Sequence, residues 1–322
     1  MTFYKKINIA LKLILLLSLS ACSQQTNKKI TMQYTKEEQQ IFDQLENNSK
    51  NEKIGYALST KLKLPHIIYI NDLLDNDYSL VNPKPALNHY NLSELNNYIL
   101  GNGTYKMKFI LYPAKNSEDG LIHQKDLDEL MIEILRFTTN EKGFEENVTT
   151  FQKFHIEIEE PVAYLEKELE FTIADLPYKI KGWSESQDLR KMDTKQLEKE
   201  VLVYYNYLWN LLNDGKMDVF VQEESKIKHL EAAISTYANK KEYYQMLYDN
   251  INDEHKTKGN MFPIENYRLA IEGNGRLVTL YRTDKENFNL SVLISKDEKS
   301  KASTGARLHK PKGAASFEVI VK

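Results

Sequence analysis

The sequence predicts an α+β fold: an N-terminal, all-β, sandwich-like region, then helices packed on a curved antiparallel sheet. Three observations predict it. From Leu64 to about Ala174 apolar side chains recur at every second position, as half-buried antiparallel strands require. From Asp193 to Ile251 they recur at helical spacing. Beyond Pro263 the period returns to two, and helices followed by a strand meander imply a helical layer over a sheet.

The chain opens with Lys5 and Lys6, an apolar run from Ile9 to Leu19 broken only by Lys12, and then Ser20-Ala21-Cys22. That run is far shorter than the roughly 20 residues a membrane-spanning helix needs, and it has the layout of a secretory signal. Cys22 is the only cysteine, so no disulfide partner exists within the chain. It is either a modified residue or a free thiol behind a plain secretion signal. The segment Leu19-Ser20-Ala21-Cys22 resembles the lipobox of bacterial lipoproteins. The resemblance implies that the Cys22 thiol takes diacylglycerol, that residues 1–21 are removed as the signal peptide, and that the new amino terminus is acylated. It also implies, through Ser23, export to the outer membrane, here facing the periplasm. Residues 22–34 then form a polar, lipidated tether.

Thr35 to about Ser49 reads as a short helix, with Thr35 and Glu38 as a capping box. Alternation marks strands at Met107-Phe109-Leu111, at Phe154-Ile156-Ile158 against His155, and at Leu169-Phe171-Ile173. Gly101-Asn102-Gly103 has the composition of a tight hairpin. The polar stretch from Lys179 to Asp193 suggests a boundary, giving one domain over 35–180 and a second over 181–322. Three helices are expected after it. The first is capped by Asp193 and Gln196 and runs to Asn213, the second spans Met217 to Tyr237, and the third starts at Asn239 with Glu242. Tyr267-Leu269-Ile271, Leu290-Val292-Ile294 and Phe317-Val319-Val321 read as strands, with a second hairpin signal at Gly273-Asn274-Gly275. The succession resembles the cone-shaped NTF2-like and cystatin-like folds.

The formal charge is −3, and loss of Lys5, Lys6 and Lys12 with the 21-residue signal would make it −6 over 301 residues. A mildly acidic chain of this kind argues against nucleic acid as a partner. No catalytic, cofactor-binding or metal-binding set is expected. His229-Leu230-Glu231-Ala232-Ala233 lacks the second histidine of a zinc helix, and Ser225-Lys226-Ile227-Lys228 has SxxK spacing without its partner motifs. Asp72, Asp75 and Asp77 lack the glycine and distal glutamate of a calcium loop and read as solvated. Tyr204, Tyr205, Tyr207 and Trp209 crowd one helix and cannot share one stripe, so Tyr207 should point away from the core. Such aromatics serve as core, as domain interface or as a protein-binding surface.

The lipobox, the β-region with Leu95–Leu100 and Tyr105–Pro113, and the helix-plus-sheet end together resemble periplasmic immunity lipoproteins of type VI secretion toxin systems. That resemblance implies a non-enzymatic, membrane-anchored protein, held through the lipid on Cys22, that binds and neutralises a secreted antibacterial toxin. Two other readings stay open. One is a ligand-binding or hydrolytic NTF2-like lipoprotein, with Glu272, Arg268 or Tyr281 as candidate polar groups. The other is a structural envelope-assembly lipoprotein.

Overall fold

Local capping fixes the first described helix of the computed structural model, which describes residues 32–79, 89–140, 143, 145–296 and 301–320. Helix α1 (Lys36–Asn48) starts where the Thr35 hydroxyl accepts from the Glu38 N–H and the Glu38 carboxylate accepts from the Thr35 N–H. Two four-stranded antiparallel sheets follow. The first has the order β4-β1-β6-β7, built from β1 (Lys53–Leu62), β4 (His89–Glu94), β6 (Met131–Thr139) and β7 (Glu145–Phe154). The second has the order β3-β2-β5-β8, built from β2 (His66–Ile70), β3 (Leu73–Tyr78), β5 (Gly103–Leu111) and β8 (Leu165–Ile173). A short helix α2 (Gln124–Asp128) precedes β6. The period-two reading holds on β5 and β8, where Met107, Phe109, Leu111, Phe171 and Ile173 are all buried.

The C-terminal region is helical, then antiparallel. Helix α3 (Thr194–Asn213) is capped by Asp193, whose side chain accepts from the Gln196 N–H, and Asp214-Gly215 ends it. Next come α4 (Met217–Val219), α5 (Lys226–Ser235), α6 (Lys240–Asn252) with an Asn239/Glu242 capping box, and α7 (Glu254–Thr257). The closing sheet has the order β14-β13-β10-β9, from β9 (Tyr267–Glu272), β10 (Leu277–Arg282), β13 (Arg307–His309) and β14 (Glu318–Ile320). A two-stranded ribbon pairs β11 (Ile294–Lys296) with β12 (Lys301–Ser303). The chain is thus α+β, strand-rich first and helix-plus-sheet after.

Residues 34–322 form one compact unit. Leu73 on β3, Trp183, Leu277 on β10 and Ile320 on β14 make a buried cluster with Tyr98 and Leu100 against it, so segments on both sides of residue 181 share apolar core. Helix α1 joins the later helices. The Asn48 amide donates to the Ile234 carbonyl at 2.7 Å, Phe42 meets Tyr243 edge-on, and Lys226 pairs with Glu38 at 2.9 Å.

Several expectations need correction. The helix expected over Met217–Tyr237 is interrupted by a π-turn at Phe220–Glu224 and a break at Ser225, whose buried hydroxyl donates to the Phe220 carbonyl at 2.9 Å. The strand expected through Ile156 and Ile158 ends at Phe154 instead. Gly101-Asn102-Gly103 is not a hairpin, because the chain passes from the first sheet into the second there. The Asn102 side chain instead exchanges two hydrogen bonds with the backbone of Leu176, at 2.8 and 3.0 Å. Gly273-Asn274-Gly275 does turn β9 into β10, with all three residues at positive φ and Glu272 opposite Leu277.

Candidate functional site

The outer face of the first sheet is built where the ends of β1 and β6 alternate, over residues 58–62 and 131–134. Leu58 and Leu62 on β1, and Ile132 and Ile134 on β6, turn inward and are buried. The intervening residues therefore face outward in register: Tyr90 beside Lys61 beside Met131, and Leu92 beside Ser59 beside Glu133. Tyr90 is 67% exposed and Leu92 is 54% exposed, both on β4 at the edge of the sheet. The Lys61 ammonium lies 5.5 Å from the Tyr90 ring centre, which holds the ring over the sheet. Thr150 on β7 extends the row by donating to Glu133 at 3.0 Å. Farther along the same face Phe137 covers Gly55, where a Cβ would sit 2.3 Å from the ring carbons. The result is an exposed tyrosine and leucine flanked by a cation and an anion.

Helix α3 sorts its aromatics as its geometry requires. Tyr205 is fully buried, its hydroxyl donating to the Ala306 carbonyl and accepting from the Leu280 N–H at 3.2 Å. Tyr207 is exposed, and with Tyr204 it donates to the two oxygens of Glu224, at 2.9 and 2.5 Å. Burial and that carboxylate push the Tyr207 phenol up to about 12. The Trp209 indole N–H is committed to the Phe262 carbonyl at 2.6 Å.

A second constellation gathers at the C-terminal sheet, and it unites the three polar candidates named from sequence. The Tyr281 hydroxyl donates to Glu272 at 2.9 Å, and the Arg268 guanidinium lies 4.9 Å over the Tyr281 ring. Arg307, which carried no sequence signal, meets the buried Glu272 through Nε at 3.3 Å. Nearby, burial outweighs hydrogen bonds from Ser93, Tyr98, Asn76 and Asn91 and raises the Asp75 carboxyl above its usual range.

Asp72, Asp75 and Asp77 are therefore not a solvated loop. Asp72 accepts from the Asn274 N–H at 2.8 Å and Asp77 from the Asn289 amide at 2.6 Å, so they fasten β3 and the turn before it to the C-terminal sheet. Among the described residues no group of three His, Cys, Asp or Glu side chains is placed to hold a metal. Ser225 and Lys228 of the SxxK string have separate partners, the Phe220 carbonyl for the hydroxyl and the Gly305 carbonyl for the amine. His155 is exposed, 3.6 Å from Asp128. Buried Ser186 and His309 are 2.7 Å apart and His309 lies 3.7 Å from Glu318, in the order of a hydrolase relay. That second distance is beyond a hydrogen bond, and the Glu318 side chain is 55% exposed, so this is a cross-strand charge contact, not a held base. Cys22 lies outside the described residues.

No family model, curated protein or solved structure matches the chain. Among the described residues no helix is long and apolar enough to cross a membrane.

Proposed function

We propose that this chain is a lipid-anchored protein of the bacterial envelope, an outer-membrane lipoprotein held through Cys22 and facing the periplasm. Its role in this reading is to bind a protein partner, a secreted antibacterial toxin, and block it without catalysis. The single observation that supports partner binding is the outer face of the first sheet, where Tyr90 and Leu92 stand exposed on the edge strand with Lys61 and Glu133 on the next two strands. An exposed tyrosine and an aliphatic neighbour on a strand, with charges beside them, have the make-up of an interface hot spot. The lipobox-like segment ending at Cys22 supports the anchor. The chain's net negative charge would speed association with a basic toxin.

The anchor and the partner are tested separately. Cys22→Ser is expected to abolish labelling by radioactive palmitate and to move the protein into the soluble extract; labelling that persists sinks the lipoprotein reading. For the partner, the full chain serves as bait, and a captured secreted toxin is expected to lose activity on rebinding. Tyr90→Lys with Leu92→Lys should weaken that rebinding at least about 30-fold, the ~2 kcal/mol of a hot spot. Unchanged inhibition by the double variant removes this face from the interface. An eluate holding only envelope-assembly proteins favours the structural reading.

A further inference from the structure

We infer that the cavity between α5, β10 and β13 binds a small oxyanion, a carboxylate or phosphate group carried by a soluble ligand. The cavity has a volume of about 290 Å³. Its charged lining consists, among the described residues, of two cations, Lys228 from α5 and Arg307 from β13. Around them stand the hydroxyls of Thr279, Tyr281, Ser291 and Ser303 and the amide of Asn289. Tyr281, Asn289 and Thr279 donate to Glu272, Asp77 and the Ala306 carbonyl, so the donors facing an acceptor-rich group are the two cations with the Ser291 and Ser303 hydroxyls.

The charge balance points the same way. Glu272 meets Arg307 through Nε and is not among the residues that line the cavity, whereas both cations are. The Lys228 amine is satisfied by a neutral acceptor, the Gly305 carbonyl at 2.5 Å. Burial, with Arg307 adding repulsion, pushes that amine down to about 8, the mark of a cation short of counter-charge. A bound oxyanion supplies it. The volume lies at the lower edge of the range for small-molecule pockets, which fits phosphate or a short carboxylic acid and not a nucleotide. This inference does not rest on the partner-binding reading, which concerns the first sheet.

Calorimetric titration of the purified full chain with inorganic phosphate, and separately with succinate, tests it. Saturable binding of at least one is expected, with affinity reduced tenfold or more in Lys228→Met. Phosphate alone identifies a phosphate-type ligand, and succinate alone a carboxylate. A second readout is the titration of the Lys228 amine followed by NMR, which should move upward from about 8 when the bound anion is present. Arg307→Lys, which keeps the charge opposite Glu272, serves if Lys228→Met fails to fold, and it should weaken binding by a similar factor. Absence of saturable heat with both anions, or binding untouched by the variants and without movement of the Lys228 titration, overturns the inference.

Discussion

Replacing Trp183 with alanine is expected to cost about 3–5 kcal/mol of stability, the range for removing a large aromatic from a packed core. Trp183 is 3% exposed and closes the cluster formed with Leu73, Leu277 and Ile320. Those partners come from β3, β10 and β14, so the loss is felt on both sides of residue 181 at once. Urea titration should show a lower midpoint, with far-ultraviolet circular dichroism and the fluorescence of the remaining Trp209 following one coincident transition. Two transitions, with only one displaced, would show instead that the strand-rich and helical parts unfold as separate bodies.

The second large effect is on acid stability. His229 is 9% exposed on α5, with Nδ1 against the Ser225 carbonyl at 2.7 Å. Burial first, and the adjacent Lys228 second, depress its imidazolium from 6.5 to about 4. Because the folded value is the lower one, the unfolded chain binds the proton first as pH falls below 6.5. Stability from neutral His229 is whole above pH 6.5 and is progressively lost toward pH 4, by about 3 kcal/mol for this one group. The measurement compares unfolding free energies of the native chain and His229→Gln at pH 7.5 and pH 4.5. The native chain should lose about 2.5 kcal/mol more than the variant over that interval; equal losses would mean that His229 titrates normally.

What could be read from the sequence follows the range of the interactions. The capping boxes at Thr35 and Asn239 and the cap at Asp193 are contacts within three residues, and each sits where the letters place it. Alternation on β5 and β8 was visible because one face of each is buried. Strand β7 gave no alternation because eight of its ten residues are exposed, which leaves no apolar face to mark it. The Ser225 break is set by a buried hydroxyl whose environment, not its identity, is decisive. At the polar constellation, Glu272 and Tyr281 are cross-hairpin neighbours nine residues apart, whereas Arg307 lies 35 residues beyond Glu272. Asp72 to Asn274 and Asp77 to Asn289 span more than 200 residues, and nothing in either local segment announces the other.

Helix α1 carries a consequence for biosynthesis. It is a 13-residue helix, too short to persist alone in water, and its fastenings lie far downstream. Gln44 reaches Lys179, 135 residues on, and Asn48 reaches Ile234, 186 residues on. At about 5–20 residues per second, a ribosome needs roughly 10–40 s to produce the second of these partners after the first residue has emerged. Throughout that interval the apolar stripe of Phe42 and Leu45 has no dock, and the nascent amino-terminal segment is a natural client for chaperones. A helix made early is among the last to settle.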